Sequence, residues 1–157
     1  MTAARTEPLV EAIACWRLAL PGSRELLTST AADLVAQGVD GAALLEMASV
    51  YPDENAFRID ALVDDVIAEL SLEPDLSHGL DVPATRWMAR SVVRGSLRER
   101  ELSRWAHSRF HHESDSELLN ELAELDDQYD DAAYAETSTE SIRSRIRDVA
   151  QQILGDR

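Results

Sequence analysis

The sequence predicts an all-α fold, a single-domain bundle of about seven or eight short helices, and three observations predict it. Apolar residues recur with a period near 3.6 in segment after segment, and no stretch alternates like a half-buried strand. Only six glycines and five prolines occur in 157 residues, too few for a turn-rich β architecture. Hydrophobic residues make up 45% and charged residues 29%, a balance that lets a chain of this length bury one substantial core.

The elements follow in order. A first helix is expected from about Pro8 to Leu20, ending at Pro21-Gly22. Its run "AIACWRLAL" carries the single cysteine, Cys15, which reads as an inert core residue and excludes an intrachain disulfide. Glu11 and Arg17 interrupt the N-terminal apolar stretch, which is too short and too charged for a membrane span and lacks a secretory layout, and a cytoplasmic protein is expected. A second helix starts at Ser23, as an N-cap, and stops before Gly38. A short third follows Asp40 and ends near Tyr51-Pro52. The fourth shows the cleanest stripe, Ile59, Leu62, Val63, Val66, Ile67 and Leu70.

A connector near 71–83, "SLEPDLSHGLDVP", holds Pro74, Gly79 and Pro83. It could separate two lobes, but each would have a thin core, so residues 1–157 are read as one domain. A fifth helix covers roughly Ala84 to Arg94 and closes on Gly95. Ser96 is the expected cap of a sixth, with Leu102, Trp105, Ala106 and Phe110 on one face. The seventh begins near Ser114 and buries Leu118, Leu119, Leu122, Leu125 and Tyr129. The last begins at Thr137, spaced from Glu140 as in a capping box, and buries Ile142, Ile146, Val149, Ala150 and Ile153.

Charge divides the chain more sharply than periodicity. The formal net charge is −15, and every basic residue is arginine. Residues 1–82 hold four arginines against fifteen acids, residues 83–112 seven against two, and residues 113–157 four against thirteen. A basic middle is thus flanked by acidic arms, and its helices are expected to lie against acidic ones. The overall field disfavours nucleic acid and anionic membranes as partners and favours a basic protein.

Three motifs carry candidate chemistry. His107 and His111 are spaced i,i+4, as a metal pair on a helix requires. They lie far from the centre of the Leu102–Trp105–Ala106–Phe110 stripe, with Arg100 and Arg104 as neighbours, so a polar helix face is the favoured reading and no metal or cofactor is expected. "DDQYDD", residues 126–131, contains Asp-Asp-x-x-Asp, the pattern that binds magnesium and diphosphate in helical prenyl-transferring enzymes. The chain is too short for such an enzyme and lacks a second acidic motif. Acids at a helix C-terminus oppose the macrodipole, so Asp126, Asp127, Asp130 and Asp131 call for a cationic partner, either the chain's own arginines or another molecule. Arg86, Arg90 and Arg94 repeat at i, i+4, i+8 and should face carboxylates of the same chain. Trp16, Trp87 and Trp105 read as core. No Ser-His-Asp set, glycine-rich phosphate loop or Cys-x-x-Cys is present, and no catalytic residue is assigned.

"GSLRERELSRWAHSRF" followed by "ELLNELAELDDQYDD" resembles the layout of small acidic helical bacterial immunity proteins of the colicin D immunity type. The resemblance covers about residues 95–129 and rests on Gly95, Glu101, Leu102, Trp105, Leu122, Leu125, Asp126 and Tyr129. It implies a cytoplasmic antitoxin-like protein whose acidic surface blocks a basic nuclease; residues 1–80 have no counterpart in it. The sequence therefore points to an acidic non-enzymatic binding protein that neutralises a basic protein partner. Asp126, Asp127, Asp130 and Asp131 form its first contact patch, and Asp60, Asp64 and Asp65 its second. Two alternatives stay open: a metal-binding protein or enzyme using His107, His111 and nearby carboxylates, and a homo-oligomeric structural or regulatory domain.

Overall fold

The computed structural model describes residues 3–155, and among these every regular element is a helix. Contacts divide the chain into two compact units, residues 1–84 and 85–157.

The first unit contains α1 (Ala3–Arg17), α2 (Ser23–Ala36), α3 (Ala42–Ala48), α4 (Ala56–Leu70) and the single turn α5 (Glu73–Leu76). Its core is one apolar cluster, in which Leu9 and Ile13 of α1 join Leu27, Ala31 and Leu34 of α2, Leu44 and Met47 of α3, and Ile59, Leu62, Val63 and Val66 of α4. Leu72, in the expected connector, completes that cluster, which is why the chain turns through α5 there instead of leaving as a linker. Cys15 is fully buried. Burial, and then the charge of Glu11, push its thiol up to about 12, so it is no thiolate nucleophile at neutral pH.

Local chemistry sets the helix ends. α1 starts before Pro8, which removes one hydrogen bond near its N-terminal end. Gly22, at φ 75°, rather than Ser23, holds the N-cap position of α2, and Gly38, at φ 82°, follows its end. The Asn55 side chain accepts from Phe57 N at 2.8 Å and caps α4. α3 has no cap of its own. Glu69 of α4 supplies it, accepting from Ala43 N at 3.1 Å and Leu44 N at 3.0 Å. Desolvation pushes the Glu69 carboxyl up, but the N–H groups of Leu44, Ala43 and Ala42 outweigh it and hold the group below its ordinary value.

α6 (Asp81–Val93) runs through the boundary between the units and ends before Gly95, at φ 78°. The second unit continues with α7 (Glu99–Phe110), α8 (Glu117–Tyr134) and α9 (Glu140–Gly155), each packed on the other two. Leu102, Ala106, Leu122, Ala123, Leu125, Ile146, Val149 and Ala150 are its buried apolar residues on these three helices. Two further expected caps are replaced. Ser96 Oγ donates to Ser91 O at 3.1 Å, at the end of α6, and α7 begins later, where Glu101 Oε2 accepts from Arg98 N at 3.0 Å. Thr137 Oγ1 donates to Ala132 O at 3.2 Å, closing α8, so α9 begins at Glu140. In both places the serine or threonine satisfies the preceding helix's carbonyls rather than the next helix's N–H groups.

Candidate functional site

The face that α7 buries differs from the expected stripe by one position. Leu102, Ser103 and Ala106 are buried, while Trp105 and Phe110 are half-buried and meet edge to face, ring centroids 5.6 Å apart. Ser103 is 0% exposed, and its hydroxyl donates to Arg100 O at 3.1 Å and contacts Asp126 Oδ1 at 3.5 Å. A small polar residue on the buried face lets α8 approach closely there. His107, expected on the outer face, lies at the α7–α8 seam.

The two helices are antiparallel there, since Arg100 pairs with Asp130 while His107, two turns later, pairs with the earlier Asp126. Asp126 is 6% exposed and accepts from His107 Nδ1 at 3.0 Å. The tautomer with the proton on Nδ1 donates to an ionised carboxylate here. Arg100 also lies over the Tyr129 ring, 4.4 Å from its centroid. Basic helix and acidic helix thus neutralise each other along this seam, as the charge division leads one to expect. α9 joins through Arg145 Nε to Glu121 Oε1 at 2.5 Å and Arg147 Nη1 to Glu99 Oε1 at 3.3 Å. The Arg145 guanidinium is accordingly pushed up by its hydrogen bond to Glu121.

The i,i+4 pair does not form as a helical pair. α7 ends at Phe110, and both His111 (φ 49°) and His112 (φ 65°) are left-handed. Two consecutive left-handed residues reverse the chain and bring His112, not His111, beside His107, with ring centroids 4.9 Å apart. His112 Nε2 lies 3.1 Å from Asp127 Oδ2, and His107 Nδ1 lies 3.7 Å from Asp127 Oδ1. One potential ligand atom from each of His107, His112 and Asp127 falls within 4.8 Å of the others. The returning loop is fixed from behind: Asn120 accepts from Ser114 N at 2.9 Å and donates to Ser114 O at 2.8 Å. Period alone could not reveal the pairing of His107 with His112, because it depends on where the helix stops. The adjacent "HH" after an aromatic was its only trace in the sequence.

The remaining sequence-derived positions are spread over both units. Asp131 is exposed at the last turns of α8, and Asp130 is 63% exposed on its side chain while bound to Arg100. In the first unit, Asp60 accepts from Trp16 Nε1 at 2.7 Å, Asp64 accepts from Arg17 Nη2 at 2.6 Å yet stays 69% exposed, and Asp65 is exposed. Arg86 and Arg90 are half-buried and engaged, and Arg94 is exposed. No described helix is long and apolar enough to cross a membrane.

Comparison with protein-family models, curated proteins and solved structures gave no match.

Proposed function

We propose that the protein is an acidic, non-enzymatic helical binding protein of the bacterial cytoplasm that engages and neutralises a basic protein, in the manner of an immunity protein. The observation that carries this reading is the outer side of α4. Phe57 is 84% exposed at the head of the helix, followed at helical spacing by exposed Ala61, Asp64, Asp65 and Ala68. Leu45 and Tyr51 are further exposed apolar side chains of the same unit. Large apolar groups beside carboxylates suit an interface in which an aromatic anchor supplies affinity and charges steer the encounter. The four-to-fifteen imbalance of residues 1–82 selects a basic partner. Asp127, Asp130 and Asp131 add a second acidic face on the other unit.

The test is affinity purification with the full chain from its source cells, followed by association kinetics with the purified partner. The expected partner is basic and associates more slowly as salt rises. Phe57→Ala should speed dissociation about tenfold, and Asp64→Asn with Asp65→Asn should slow association and flatten its salt dependence. A neutral or acidic partner, or salt-independent association, overturns the reading. Self-association abolished by Phe57→Ala would instead make this face a homo-oligomer seam.

A further inference from the structure

We propose that His107, His112 and Asp127 form a binding site for a divalent first-row transition metal ion, with Asp126 as the carboxylate that orients His107. The proposal shares Asp127 with the second acidic face of the partner-binding reading but uses neither α4 nor the first unit.

Three geometric facts converge on it. One nitrogen from each histidine and one Asp127 oxygen already lie within 4.8 Å of one another. An ion bound at ~2.0–2.2 Å from nitrogen and oxygen ligands holds them roughly 3–3.5 Å apart. His112 Nε2 and Asp127 Oδ2, at 3.1 Å, stand at that spacing. The third fact is the buried contact of Asp126 with His107 Nδ1, at 3.0 Å. The tautomer with Nδ1 protonated toward Asp126 leaves the lone pair of the ring on Nε2. A carboxylate behind a histidine is the usual device that sets tautomer and ring orientation at a metal centre and raises ligand basicity.

The electrostatics agree. Asp126 and Asp127 bring two negative charges to the two imidazoles. The site lies at the C-terminal end of α7, the negative pole of its dipole. Arg100 is neutralised by Asp130. Arg104, one turn before His107 and exposed, opposes the ion and moderates affinity. Two imidazoles and one carboxylate select zinc, cobalt, nickel or iron(II) over magnesium and calcium, which prefer all-oxygen sets. Three protein ligands leave positions for water, so the site is open rather than structural.

The experiment is calorimetric titration of the untagged full chain with zinc and with cobalt, the cobalt form also read by its visible d–d absorption. One ion per chain is expected. His112→Asn and Asp127→Asn should each weaken binding more than tenfold and abolish the cobalt bands; their side chains are 40% and 49% exposed, so both variants should fold, as circular dichroism will verify. Asp126→Asn should weaken binding about tenfold while retaining the bands, the size typical of a group behind the ligands. His111→Asn is the matched control, because asparagine tolerates the left-handed backbone equally at both positions. It should bind as the unaltered chain does. Zinc should raise the melting temperature of the unaltered chain and not that of His112→Asn. Absence of saturable binding, or equal affinities for His111→Asn and His112→Asn, would refute the site.

Discussion

The apolar cluster of the first unit and the α7–α8 seam of the second bring helices together by different means. In the cluster, Leu9, Ile13, Leu27, Leu34, Leu44, Met47, Ile59 and Val63 are each at most 2% exposed, and burial is non-directional. At the seam, a buried serine, a buried aspartate, a histidine and an arginine are matched atom to atom. A cluster tolerates any arrangement that fills space, whereas a polar seam admits one register, since each unmatched buried group carries a penalty. The first kind of contact is robust and unspecific; the second fixes which side chains meet.

Substitutions can break this comparison at either end. The largest effect is expected from truncation in the cluster: Leu34→Ala or Ile59→Ala should each lose about 2–5 kcal/mol of stability in denaturant unfolding, independent of salt. Next comes Asp126→Asn, which leaves His107 without its buried anion and should cost about 1–3 kcal/mol. Asp131→Asn, exposed near the end of α8, should instead gain about 0.3 kcal/mol or more by removing a charge that opposes the dipole. Opposite signs for two aspartates five residues apart would establish that "DDQYDD" is two environments; equal signs would merge them. Between these two in size is Glu69→Gln, which weakens the borrowed cap of α3 by about 0.5–1 kcal/mol at neutral pH. Because the Glu69 carboxyl lies below its ordinary 4.5 when folded, its contribution is complete above that value and is lost as pH falls through the folded value. The glutamine variant should show a flatter acid limb in thermal melts. The smallest expected signal is at Cys15, which should resist a thiol reagent at pH 8 until the chain is unfolded; rapid native labelling would mean that the cluster opens.

The same contrast explains what the sequence made legible. The stripe Ile59–Leu62–Val63–Val66 and the left-handed glycines 38 and 95 could be read directly, because periodicity and missing side chains are local properties. The preference for core burial at Cys15 was legible for the same reason. α5 was not, since only the packing of Leu72 turns that connector into structure. Nor were the roles of Ser96 and Thr137, where two neighbouring helices compete for one hydroxyl. At the candidate site, the acidic end of α8 and the presence of histidines were visible, and the choice of His112 over His111 was not. It needed the burial of Ser103 against α8 and the stopping point of α7 at Phe110.

The doubled left-handed turn at His111 and His112 also bears on how this chain trades stability against chemistry. A side chain in that region raises backbone energy by roughly 1 kcal/mol per residue relative to glycine. A sequence shaped for stability alone would place glycine at position 111, directly after the helix, where it is the preferred residue. His111→Gly should therefore raise the melting temperature while leaving the His107–His112–Asp127 cluster intact. His112→Gly should relieve the same kind of strain but remove a ring from that cluster. If only the first exchange can be made without loss of function, position 112 is where the molecule retains a conformational penalty for the sake of an imidazole.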